Sequence, residues 1–289
     1  MKLTVLLNSV GRKLNIVGLA NGHGGRHLGC ENSLDVLRQS KFAEQCRVPL
    51  KWHSFIQETV TGRQESQLDG VIANSRNLSN AVSRQQGDIG LIWVDAHMDA
   101  HTIESSPTKN LHGTPVAHLL GFGDQTLRTI GDPYPKIKPQ NLCMVGIRSF
   151  EDEEQELLNR LGVRVFYDNE VQRRGIYECM LEAIELVSRN TCGFGMSIDL
   201  DAFRIKDAPA VGTPEVGGIR AAEFIDFLRD HPNLGNLLAT EIVEFMPQKD
   251  DLWKRSERLV YDLIESIYIP KIYAQEWEQQ VEEKRQHHG

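Results

Sequence analysis

Leu91-Ile92-Trp93-Val94-Asp95-Ala96-His97-Met98-Asp99-Ala100-His101 opens as four apolar residues and ends with acidic and imidazole groups at alternate positions. A short apolar run without polar alternation is the pattern of a strand buried on both faces, and such strands build parallel sheets covered by helices. Similar runs recur at Leu14 to Leu19, Asn141 to Ile147, Val163 to Tyr167, Cys192 to Leu200 and Leu237 to Phe245. Between them, Asp152 to Leu161, Tyr177 to Ser188 and Ala221 to Asp230 carry apolar residues at helical spacing. Strands alternating with amphipathic helices predict an α/β fold, whose ligands bind at the carboxyl ends of the strands. The chemistry should therefore sit where the quoted run turns polar.

The chain has 289 residues, 40% hydrophobic and 25% charged, enough to bury a sizeable core. Its net charge is −8 and its basic residues are scattered, so no electrostatic footprint for nucleic acid is present. A metal or a small cation suits that balance better. The five cysteines include no Cys-x-x-Cys pair, which argues against a disulfide framework and a thiolate zinc site. The start, Met1-Lys2-Leu3-Thr4-Val5-Leu6-Leu7, is too short an apolar run for a signal-peptide core. No window approaches the roughly 20 apolar residues that span a bilayer. The expectation is a soluble, cytoplasmic protein with no membrane or nucleic-acid partner. No linker or repeat divides it, so residues 1–289 read as one domain, with 272–289 as a polar tail that faces water or, as a second possibility, packs on another subunit.

Alternate side chains on an extended segment point the same way, so Asp95, His97 and Asp99 can converge. Far downstream, Ser197-Ile198-Asp199-Leu200-Asp201 brings a second carboxylate pair out of another apolar run. Four carboxylates gathered at sheet ends repel one another and raise one another's pKa values unless a cation neutralises them. Oxygen ligands with one imidazole suit manganese or a similar divalent ion, which can lower the pKa of a bound water toward neutrality. Metal-assisted hydrolysis is the reaction class that follows. Each piece alone has an ordinary reading, since Asp at a strand end is often a turn former. The two patterns together are much more specific.

Read in order, Trp93 to Asp99, Asn110-Leu111-His112-Gly113-Thr114-Pro115, Ser197 to Asp201, Gly212-Thr213-Pro214-Glu215-Val216-Gly217-Gly218 and Glu241-Ile242-Val243-Glu244-Phe245-Met246-Pro247 resemble the successive motifs of the arginase and agmatinase ureohydrolases. Gly146-Ile147-Arg148 is similar to the family's central Gly-x-Arg segment, and Gly18 to Leu37 to its glycine-rich first loop and helix. The resemblance implies a three-layer αβα fold with a central parallel sheet of about eight strands. It also implies one or two Mn2+ ions, a small guanidino substrate and a homo-oligomer, commonly a trimer or hexamer. By the same resemblance, Asp95, His97, Asp199 and Asp201 hold one ion, and Asp95, Asp99 and Asp199 face the other. His112 corresponds to the proton-shuttling histidine and Glu244 to the carboxylate that orients the guanidinium; without the family they would read as a loop histidine and a strand-end charge. His101, Ser106, Thr108, Glu151 and Thr213 fall at substrate-binding positions. The hydroxyls and the acid imply an amino-acid-like substrate, with His101 standing where arginine-specific members have Asn and Glu151 where they have Asp.

The resemblance breaks at one motif. The family carries a further histidine ligand in a Gly-Gly-Asp-His-Ser turn, and this chain has Val71-Ile72-Ala73-Asn74-Ser75-Arg76-Asn77-Leu78 there, which places Arg76 or Asn77 at the ligand position. The other alignment deletes that strand–helix unit and leaves Ser66 to Gln86 as a helix. His23 or His27 is a substitute ligand in a third arrangement. Loss of that imidazole leaves two readings: a metal-dependent hydrolase of a linear amidine such as arginine, releasing urea, or a degenerate relative that binds a guanidino ligand or a partner subunit without turnover. A deacetylase of related fold fits the Gly-Thr-Pro and Ile-Val-Glu-Phe-Met-Pro segments less well.

Overall fold

The apolar runs become strands because their side chains find a core on both faces. The computed structural model describes residues 2–6, 14–19, 29–56, 88–131, 133–231, 234 and 236–269. Its strands are β1 (Lys2–Leu6), β2 (Leu14–Leu19), β3 (Leu50–Ile56), β4 (Gly90–Val94), β5 (Leu142–Ile147), β6 (Arg164–Tyr167), β7 (Phe194–Asp199) and β8 (Leu237–Val243). They lie in one sheet in the order β3-β2-β1-β8-β7-β4-β5-β6.

Five neighbouring strands, β8, β7, β4, β5 and β6, are mutually parallel. The expectation of about eight parallel strands needs correcting at β1, which runs antiparallel to both β2 and β8. Only residues 7–13 separate β1 from β2. A parallel crossover takes roughly a dozen residues or more, so a link that short forces the antiparallel pairing.

Alternation along the strands feeds two separate cores. Ile92 and Val94 of β4, Cys143 and Val145 of β5, and Met196 and Ile198 of β7 join one core. It is closed by Met180 and Ala183 of the helix Ile176–Ser188, Phe224 and Leu228 of Ala221–Asp230, and Leu263 and Ile267 of a helix over residues 255–269. Trp93 and Met144 face the opposite core, closed by Val116 of the helix Pro115–Leu119 and Leu158 of Asp152–Leu161. Burial of each large apolar side chain contributes about 1.5–3 kcal/mol. The result is helix, sheet, helix in three layers. No helix among the described residues is long and apolar enough to cross a membrane.

One irregularity bears on the site. Val145 pairs with Phe166 but Ile147 with Tyr167, so Gly146 is an extra residue in β5, and Ile147 is delivered to the core opposite Val145's. Gly146 has φ 97°, and a Cβ there would lie 3.1 Å from the carbonyl oxygen of Asp95. Gly146→Ala is therefore expected to cost about 1–3 kcal/mol through backbone strain, seen as an earlier urea midpoint with an unchanged slope. An unchanged midpoint would show that the bulge tolerates a side chain.

Candidate metal centre

The register of β4 against β7 assembles the centre. Val94 pairs with Ile198, so the next residues, Asp95 and Asp199, leave the sheet side by side. Each then makes the same local turn: Asp95 Oδ1 accepts from the backbone N–H of His97 at 2.7 Å, and Asp199 Oδ1 from that of Asp201 at 2.8 Å. These are Asp-centred turns, in which a short carboxylate bonds the amide two residues on. The turn-forming role of strand-end aspartates and their convergence on one point thus coexist, because the turn carries His97 and Asp201 back over the strand ends.

Further donors fix the carboxylates. Trp93 Nε1 donates to Asp95 Oδ2 at 2.9 Å, while Asp201 accepts from the backbone N–H of Ala96 at 3.3 Å and from Thr213 Oγ1 at 3.0 Å. His97 Nδ1 lies 3.2 Å from Asp201 Oδ2 and 3.5 Å from Asp95 Oδ1. One ligand atom from each of Asp95, His97 and Asp201 falls within 4.8 Å of the others. Asp95, Asp199 and Asp201 are buried, at 1%, 4% and 2% exposure, so water does little to screen them.

The electrostatics follow from that burial. Desolvation, then the charge of Asp201, pushes Asp95 up to about 7. Asp99 and Asp199 are raised well above the usual carboxylate range by burial first, and by Asp95 and Asp201 after it. Burial is the largest single effect on both Asp201 and His97 and works against their charged forms, yet their hydrogen bonds and opposite charges together outweigh it, holding the Asp201 carboxyl low and the imidazole proton tight. Buried acids that cannot all ionise together, with one imidazole among them, are what a hard divalent cation relieves. The residues present fit such an ion.

Other expected site residues gather around this point. His112 sits in the short turn Leu111–Gly113; burial lowers its pKa, and the charges of Glu244, His97 and Asp201 act on it. Glu244 follows β8 and takes φ 59°, while Asp99 takes φ 50°. Left-handed backbone at two non-glycine residues of one site is strain held by its surroundings. Thr213, expected among the substrate contacts, has its hydroxyl on Asp201.

His101 and Glu151 meet each other: His101 Nε2 is 2.9 Å from Glu151 Oε2 and 3.5 Å from Glu154 Oε2, and its Nδ1 is 2.9 Å from Ser105 Oγ. Ser106 is buried with its hydroxyl accepting from the Lys109 amide at 3.0 Å, and Thr108 Oγ1 accepts from the Asn110 amide at 3.3 Å. Both hydroxyls shape the loop they stand on. Arg76, Asn77, His23, His27, the segment Ser66 to Gln86 and the tail 272–289 lie outside the described residues.

Three residues at the centre were not anticipated as site residues. Glu154, at the start of the acidic helix, accepts from the backbone N–H groups of Ala100 (2.9 Å) and Glu151 (3.0 Å), joining that helix to the segment that follows β4. Glu151 and Glu154 form a reciprocal capping box, and their three-residue spacing is the one sequence signal that could have flagged the pair. Arg148 and Glu215 lay inside recognised motifs, but nothing in their spacing assigned them a task.

The model of the arginase family matches residues 75–269. The chain is 37% identical to the arginase of Brevibacillus brevis over 191 residues, which is 66% of this chain and 64% of that protein. It is 36% identical to the arginase of Bacillus caldovelox over 170 residues, 59% of this chain and 57% of that one. The match thus spans less than two thirds of these curated relatives. Among solved structures, arginase from Bacillus subtilis superposes with a TM-score of 0.80 at 26% identity, covering 88% of this chain and 97% of that chain.

The raised acids make the metal-free protein pH-sensitive. Asp95 sits above its ordinary value of 3.8, so the folded state keeps a proton that the unfolded chain loses. Its contribution is full below that value and falls away as pH rises toward about 7. His97, raised from 6.5, adds a second loss as pH climbs beyond that value. The thermal midpoint of chelator-treated protein is expected to fall from about pH 5 to about pH 8, with added Mn2+ raising it more at the higher pH. A metal-free midpoint that rises over that interval would contradict the electrostatics described.

Proposed function

The chain belongs to the arginase family, and from that membership we propose that it is a metal-dependent hydrolase of linear amidines, acting on arginine or a related guanidino compound and releasing urea. The observation that carries this reading is the convergence of Asp95, His97 and Asp201 at the paired ends of β4 and β7, with Asp199 beside them. Asp95, His97, Asp199 and Asp201 would hold one ion, and Asp95, Asp99 and Asp199 would face a second. A divalent ion bound there would supply Lewis acidity and would lower the pKa of water toward neutrality.

The chain's own groups do the rest. Glu244 accepts hydrogen bonds from the guanidinium, a planar cation suited to a carboxylate fork, and sets the carbon in reach of water. The water oxygen bonds to that carbon and gives up its protons, the bond to the alkyl nitrogen breaks with its electron pair staying on nitrogen, and the departing amine takes up a proton that the water has lost. His112 passes that proton. Its pKa lies below the usual imidazole value, so it is neutral near pH 7 and free to relay. Manganese as the ion, a homo-oligomer and a cytoplasmic location belong to the same reading.

Urea release from Mn2+-reconstituted protein, assayed across arginine, agmatine and guanidino acids, tests the activity. Release from at least one is expected. Tight binding of a guanidino compound with no release from any would favour a non-hydrolytic binding protein instead. His112→Ala should lower turnover by about 10²-fold or more, with Mn2+ affinity kept. Unchanged turnover in that variant would remove His112 from the proton path.

A further inference from the structure

The imidazole of His97 has two ends, and only one belongs to the cluster of ligand carboxylates. Nδ1 faces Asp95 and Asp201, whereas Nε2 lies 3.6 Å from Glu215 Oε1. Glu215 Oε1 also accepts from Ser149 Oγ at 3.2 Å. Ser149 stands opposite His97 in an isolated parallel bridge just beyond the ends of β4 and β5. Glu215 is thereby held against the outer edge of the ring.

The loop that brings it there is tied down by one guanidinium. Arg148 Nη2 donates to the carbonyls of Asp201 (2.7 Å) and Glu215 (3.3 Å), Nη1 to those of Gly146 (3.2 Å) and Ala202 (3.4 Å), and Nε to that of Val216 (3.1 Å). Five backbone acceptors on one rigid fork join the end of β5 to both Asp201 and Glu215. Arg148 therefore fixes the backbone on which Asp201 and Glu215, at opposite ends of the His97 ring, stand.

We infer that Glu215 is a positioning residue for His97: with Ser149, and on the loop clamped by Arg148, it holds the imidazole so that Nδ1 is presented to the metal. A ligand histidine orients best when its other nitrogen donates to a fixed acceptor, because that bond selects the tautomer and the ring angle. The assignment rests on the metal reading proposed above, and it is read out by metal affinity rather than by urea release.

The test is calorimetric titration of Mn2+ into metal-free wild-type protein and into Glu215→Val, Glu215→Gln and Ser149→Ala, with thermal unfolding of each metal-free protein alongside. Glu215→Val is expected to weaken Mn2+ binding by about 10–100-fold, the range for loss of an outer partner, with smaller losses for Glu215→Gln and Ser149→Ala. A purely structural role would move the metal-free unfolding midpoint and leave the affinity of the folded protein alone. Affinities within about twofold of wild type for the folded variants would overturn the assignment, as would a wild type that binds no Mn2+. If Glu215→Val fails to fold, Glu215→Gln and Ser149→Ala decide. Wild-type protein that binds Mn2+ yet releases no urea defeats the hydrolase reading alone, because the affinity comparison still decides the role of Glu215.

Discussion

The crowding of buried carboxylates at the ends of β4 and β7 is the constraint on which the rest of the architecture turns. Asp95, Asp199 and Asp201 are almost without solvent, and Asp95 and Asp199 leave neighbouring parallel strands at the same level. In water such groups would separate. Here the sheet register forbids it, since sliding β7 by one residue against β4 would turn its apolar side chains out of the core they fill. The hydrophobic packing of the two faces therefore enforces an electrostatically unfavourable arrangement, and a bound cation is the natural relief.

That arrangement is held from several directions. The Asp-centred turns fold His97 and Asp201 back over the strand ends, Trp93 and Thr213 each give a hydrogen bond to a carboxylate, and Arg148 fastens the downstream loop through backbone carbonyls. Asp99 and Glu244 are kept in left-handed backbone that their side chains disfavour. Such strain persists only where the surroundings over-determine the fold. The two helical layers, packed on opposite faces of the sheet, supply that rigidity.

Much of this was legible in the sequence because it rests on local periodicity. The runs ending at Val94, Ile147 and Tyr167 became parallel strands with those ends, the run Leu237 to Phe245 became a parallel strand that stops at Val243, and the helices Asp152–Leu161 and Ala221–Asp230 have the bounds their spacing predicted. Strand β3 was not foreseen, since Lys51, His53 and Ser54 interrupt its apolar residues. The antiparallel direction of β1 depends on the length of a link, not on composition. The transfer of Ile147 to the second core depends on one glycine. Pairing between distant residues left no periodic trace at all: His101 with Glu151, and Glu215 with His97, meet only because the segments after β4, β5 and β7 come together in space.

Whether a metal occupies the point where those strand ends meet decides what the buried carboxylates are for. Anomalous diffraction at the manganese edge, from crystals of the Mn2+-reconstituted protein, measures this directly. A peak is expected that is bounded by Asp95, His97, Asp199 and Asp201, within coordination distance of His97 Nδ1. Mn2+ at saturating concentration with no peak among those residues would contradict that metal assignment.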